Sequence, residues 1–84
     1  MRVIFDEANR QSNIAKHGMD FAALSFDFFL SCYVESAKDG RSLAIGNIDG
    51  TMVIAVIFRP LGSEAISVVS MRRANQKERN RMNG

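Results

Sequence analysis

The stretch DGTMVIAVIF, from Asp49 to Phe58, limits what this chain can fold into more than any other. Asp49-Gly50 is a strong tight-hairpin signal, because both central positions of such a turn need positive φ. The run that follows, Thr51 to Phe58, is almost continuously apolar and far too short to span a bilayer. A short apolar run bounded by turn residues reads as a central strand covered on both faces. The chain is therefore expected to be layered, with a sheet in the middle.

Three other runs have the same character: SCYVES from Ser31, RSLAIGNI from Arg41 and EAISVVSM from Glu64. Lys38-Asp39-Gly40 separates the first two, and Pro60-Leu61-Gly62 separates the last two. Strands joined by short turns at this spacing predict a four-stranded antiparallel meander. Arg2 to Phe5 reads as a short strand or an extended start. DEANRQSNIAKHG then reads as one helix. Asp6 stands at its cap, acids occupy the positive end of the dipole, and Lys16, His17 and Gly18 close it. Asp20 is the N-cap of a second helix, with Met19 as a staple on Leu24 and with Phe21, Leu24 and Phe28 on one face. Asn75, with Glu78 three residues later, forms a capping box for a short last helix that needs tertiary support. The predicted order is β-α-α-β-β-β-β-α. It makes an α+β fold in one domain over residues 1–84, with no repeat and no linker.

The chain has 84 residues, 46% of them hydrophobic. A domain of that size buries only about 60% of its unfolded surface, so a partner that adds buried area is expected. Charge is unevenly placed. From Ser70 onward there are five Lys or Arg and one acid, whereas residues 1–69 carry six Lys or Arg and eight acids. A local basic stripe suits a polyanion or an acidic partner. Cys32 is the only cysteine, which excludes an internal disulfide and reads as a small buried residue in a strand. The start MRVIFDEAN is no secretory signal, so the cytoplasm is the expected location. One histidine and one cysteine leave no basis for a zinc site or a catalytic triad, and no glycine loop is built to cradle phosphates. No metal or cofactor is expected.

Three features remain. Lys16-His17 is read first as a helix end, where cations stabilise the last carbonyls. Arg72-Arg73 is read first as a solvated strand exit, although two guanidiniums at the end of a sheet can fork onto phosphates. In the tail, Arg73, Lys77 and Arg81 form one stripe at i, i+4, i+8, and Ala74, Glu78 and Met82 form the stripe beside it. Like charges at that spacing repel by a few tenths of a kcal/mol, a cost that a polyanionic partner would relieve.

On these residues the chain resembles the BrnT toxins. The resemblance rests on Asn13 with Lys16-His17-Gly18, Asp20-Phe21, Phe26-Asp27, Arg41 with Ile45-Gly46, and Val69-Ser70-Met71-Arg72-Arg73-Ala74 with Glu78. Each motif is short, but together they cover nearly the whole chain in order. The resemblance implies a RelE-like fold and a ribonuclease toxin, one half of a type II toxin–antitoxin pair. It also implies a BrnA-like antitoxin partner, which supplies the DNA-binding domain for the operator, and it allows a dimer of toxin–antitoxin pairs. The chain departs from the family where many members carry Arg before or within the last strand, because it has Ala65 and Ser67 there. It departs again in the preceding turn, Phe58-Arg59-Pro60-Leu61, where members tend to have Thr and Arg; Arg59 is a partial substitute.

The expected activity is RNA cleavage without metal, which inhibits translation. Such cleavage needs proton transfer and a cationic clamp on the developing phosphorane. Arg72 and Arg73 are the expected clamp, and Lys16 and His17 the expected source of charge or of a proton. Imidazole is the side chain that titrates near neutrality, and a helix C-terminus favours its protonated, acid form. No residue stands out as the base. Arg41, Arg59 and Lys77 are further candidates for RNA contact. Two rivals stay open: a non-catalytic module that binds an antitoxin and acts as corepressor, and a plain structural subunit.

Overall fold

The computed structural model describes residues 2–50 and 52–83. Its elements are β1 (Arg2–Ile4), α1 (Glu7–His17), a 3-10 turn (Phe21–Ala23), α2 (Phe26–Ser31), β2 (Tyr33–Ser36), a 3-10 turn (Lys38–Gly40), β3 (Ser42–Ile48), β4 (Met52–Leu61), β5 (Ala65–Arg73) and α3 (Gln76–Asn83). The α+β class and the antiparallel run β2-β3-β4-β5 agree with the reading of the sequence.

The sheet differs from that reading by one strand. Its order is β1-β5-β4-β3-β2, and β1 pairs parallel to β5, with Val3 opposite Ile66. The meander alone would leave the outer edge of β5 unpaired, and β1 covers its first three residues. The result is a mixed five-stranded sheet.

The central strand is covered on both faces, as its apolar run requires. Ile54, Val56 and Phe58 join Ile66, Val68 and Met71 in one core, under Phe21, Leu24 and Phe28. Ala55 joins Leu43, Ile45 and Ala74 in a smaller core on the opposite face, with Val53, Ile57 and Met82 packed against it. The first face is roofed by the segment from Phe21 to α2, and α3 lies on the second.

Three local boundaries also move. The second helix is not continuous. Asp20 caps only the 3-10 turn, Leu24 is extended, and Ser25 caps α2 with its hydroxyl accepting from the Phe28 N–H. The break lets Phe21, Leu24 and Phe28 all reach the core although they are not on one regular helix. Pro60 and Leu61 belong to β4, so the turn is Gly62 to Glu64; a proline is tolerated near a strand end, where no ladder bond needs its missing N–H. Cys32 ends α2 rather than lying in a strand; its Sγ contacts the Phe29 carbonyl at 3.4 Å, and burial pushes the thiol pKa up.

β5 carries a bulge at Val69. Phe58 faces Val68 and Ile57 faces Ser70, so Val69 is the extra residue. Because side chains alternate faces, one inserted residue exchanges the faces of everything after it. Beyond the bulge, Met71 and Arg73 lie with the larger core, and Arg72, opposite Ala55, lies with α3.

Candidate functional site

Helix α1 ends as its sequence demands. Asp6 is in the cap position, although its side chain makes no capping bond. At the other end Gly18 adopts φ 68°, and its N–H donates to the Ile14 carbonyl. That turn leaves Lys16 and His17 exposed in the last turn of α1. The helix is held on β5 by Asn13, which is 94% buried. The Asn13 side chain donates to the Met71 carbonyl at 2.9 Å and accepts from the Met71 N–H at 3.0 Å. It also donates to the Met19 carbonyl at 2.9 Å. One side chain therefore fixes the end of α1, the loop after it and the far half of β5 relative to one another.

The consequence is a trough. A cavity of about 250 Å³ is lined by His17, Gly18, Met19, Asp20, Met71 and Arg73, among others. A second, of about 180 Å³, adjoins it through His17 and adds Lys16, Ser12 and Ser70. A third, of about 260 Å³, adjoins it through Arg73 and adds Arg79. Lys16, His17, Arg73 and Arg79 thus follow one another along a surface path from α1 to α3. Asp20 is the acid on that path, and it is already engaged. Arg10 donates to both its oxygens, at 2.7 and 2.9 Å, and to Glu7. This bidentate contact holds the Asp20 pKa down at about 2.

Arg72 is placed elsewhere. It lies on the α3 face and forks onto Glu78, at 2.8 and 2.9 Å. Glu78 is buried, and its carboxyl is held below the usual range first by the Arg72 hydrogen bond. The same carboxylate accepts from the Asn75 N–H at 2.9 Å while the Asn75 side chain accepts from the Glu78 N–H at 2.8 Å. The capping box is therefore reciprocal, and Arg72 completes it. Arg81, also on α3, pairs with Glu35 of β2. Lys77 is exposed in the first turn.

Arg41 and Arg59 lie at the opposite end of the sheet. Arg59 faces Ser67, while Arg73 faces Ile54. Five residues of strand separate these points, roughly 17 Å at about 3.3 Å per residue. Arg59 Nη1 donates to the Asp39 carbonyl at 3.0 Å, and Arg41 Nε is buried without a hydrogen-bond partner among the described residues. The structure therefore gathers Lys16, His17 and Arg73, and it separates them from Arg72, Arg41 and Arg59. Sequence reasoning counted Arg79 only as tail charge. The signal that would have placed it is Glu78: once that residue turns inward as a cap, its neighbour is turned along the sheet end. Among the described residues no group of three His, Cys, Asp or Glu side chains stands ready to hold a metal ion. No helix there is long and apolar enough to cross a membrane.

Residues 5–78 match the family model described as ribonuclease toxin, BrnT, of type II toxin–antitoxin system. The chain is similar in structure to the Brucella abortus ribonuclease toxin BrnT, seen in a crystal structure at 1.1 Å resolution. The TM-score is 0.85 at 59% sequence identity, over 90% of this chain and 99% of that one. No curated protein matches the chain.

Proposed function

The chain belongs to the BrnT family of ribonuclease toxins from type II toxin–antitoxin systems, and from that premise we propose that it cleaves RNA in the trough between α1 and the end of β5. The observation that carries this reading is that His17 and Arg73 line one cavity.

The reaction needs no metal. The ribose 2′-oxygen attacks the adjacent phosphorus and the P–O5′ bond breaks, leaving a 2′,3′-cyclic phosphate and a 5′-hydroxyl. Arg73 lies over the phosphate and stays charged while the phosphorane develops; Arg79 adds a second cation. His17, in protonated form, gives its proton to the leaving 5′-oxygen. Lys16 holds the neighbouring phosphate. Water in the open trough takes the 2′ proton. Arg72 acts through Glu78, fixing α3 behind Arg73. Arg41, Arg59 and Lys77 contact more distant nucleotides.

In the cell this activity would act on RNA in the cytoplasm and inhibit translation. A BrnA-like antitoxin would neutralise it and carry the pair to operator DNA, as a dimer of toxin–antitoxin pairs. A binding-only corepressor is the second reading, favoured by Ala65 and Ser67 on β5 and by the engagement of Arg72 with Glu78. Induced expression of the wild type and of His17→Ala separates them. Arrested growth that His17→Ala relieves supports the nuclease, and unaffected growth with either chain supports the corepressor.

A further inference from the structure

Six large hydrophobic side chains are exposed among the described residues, and four of them fall between Phe26 and Val34. Phe26 and Leu30, 52% and 67% exposed, are four apart on α2 and so share its outer face. Val34, 51% exposed, is on the same side of the sheet, since it faces Ala44 of the core beneath α2. Tyr33, 43% exposed, is on the other side, opposite Ile45.

These residues flank an edge strand, because β2 ends the sheet. Soluble proteins normally blunt such an edge with lysine, proline or a bulge. β2 has none of these: its residues are Tyr33, Val34, Glu35 and Ser36, in regular register with β3. Its single charge, Glu35, is paired with Arg81. The other edge, β1, is three residues long and carries Arg2. β2 is thus a free row of N–H and C=O groups beside an apolar ridge, the arrangement used for strand addition.

The charge around it selects the occupant. No Lys or Arg occurs from Gly18 to Ala37. Asp27 of α2 and Asp49 line one hollow of about 200 Å³ between α2 and the end of β3. A second copy of the chain, pairing β2 with β2, would offer Asp27 only another stretch from Gly18 to Ala37 that holds acids and no Lys or Arg, while the one cation set against β2, Arg81, is already taken by Glu35. A segment with apolar residues and a cation meets no such penalty.

We propose that β2 and the ridge of Phe26, Leu30 and Val34 are the docking surface for the antitoxin. It contributes an extended segment that adds a sixth strand at β2, with apolar side chains on the ridge and a basic one toward Asp27. This rests on the toxin–antitoxin reading above. The strand and ridge contacts lie outside the residues that line the trough, and only the Asp27 hollow touches it, through Ala23 and Ile48.

The test uses the full chain and its purified antitoxin. Hydrogen exchange of the wild-type complex should protect the amides of residues 33–36. Leu30→Glu and Val34→Lys should each weaken antitoxin binding by about tenfold or more, with RNA cleavage by the free variants within about twofold of wild type. Arg73→Ala should bind the antitoxin as the wild type does. Protection confined to α3 or the trough would overturn the proposal. So would wild-type affinity in both ridge variants, a failure of the wild type to bind its antitoxin, or a free dimer that Val34→Lys dissociates. Protection at β2 in a chain that cleaves no RNA would sustain this proposal while removing the nuclease.

Discussion

The side chain of Asn13 does for Met71 what a neighbouring strand would otherwise do: it takes the Met71 N–H and gives a donor to the Met71 carbonyl. β1 pairs with β5 only as far as Ser67, so Asn13 continues the covered edge from a helix. The backbone of β5 at the trough is thereby tied to the last turns of α1.

Asn13→Ala leaves Met71 with buried, unpartnered groups and should cost about 2–3 kcal/mol. In a domain of this size that lowers Tm by about 10 °C or more. Asn13→Asp should be worse, because it sets a carboxylate against the Met19 and Met71 carbonyls. Thermal unfolding decides it, and a wild-type Tm in Asn13→Ala would deny the pair any net contribution.

Acid should weaken the attachment of α3. Glu78 has its pKa lowered, so the pair with Arg72 contributes fully above the ordinary carboxylate value of about 4.3, and its contribution is lost as pH falls through the lowered one. Asp20, with its pKa at about 2, acts in the same direction over roughly pH 4 to 2. Glu78→Gln should cost about 2 kcal/mol at pH 7 and flatten the decline below pH 5. Urea midpoints at pH 7, 5 and 3 read both effects; an unchanged slope in the variant would remove Glu78 from the acid response.

Gly46 of β3 lies under α2. A Cβ there would stand 2.8 Å from Phe28 Cε1 and 3.1 Å from Cys32 Cβ. Phe28 is buried and packs edge-on against Phe29, so its ring has little room to yield. Gly46→Ala should therefore destabilise by about 1–3 kcal/mol. A lower urea midpoint with unchanged m is the expected result, and an unchanged midpoint would show that α2 moves freely.

The separation of the arginines gives a kinetic contrast. Arg59→Ala, roughly 17 Å of strand from Arg73, should raise KM for a long RNA and leave kcat close to wild type. Arg73→Ala should lower kcat. A fall in kcat for Arg59→Ala with none for Arg73→Ala would move the site to the other end of the sheet.

Much of this was legible in the sequence where a signal was local. Asp49-Gly50 turns with φ of 56° and 73°, Gly18 closes α1, and Asn75 and Glu78 cap each other, because each depends on residues at most four apart. The parallel pairing of β1 with β5 joins residues some sixty positions apart, and no local pattern encodes it. The bulge at Val69 was invisible as well. Counting alternately from Ile66 and Val68 puts Arg72 beside the trough, whereas the extra residue puts Arg73 there and turns Arg72 toward Glu78. Asn13 was legible as part of a motif, but its bond to Met71 spans 58 residues.

The most direct measurement is cleavage of labelled single-stranded RNA in EDTA by the wild type, Arg73→Ala and His17→Ala. The expected result is wild-type cleavage to 2′,3′-cyclic phosphate ends, with each variant slowed about a hundredfold. Cleavage that EDTA abolishes and a divalent metal restores, or variants as fast as the wild type, would contradict a metal-independent site built on His17 and Arg73.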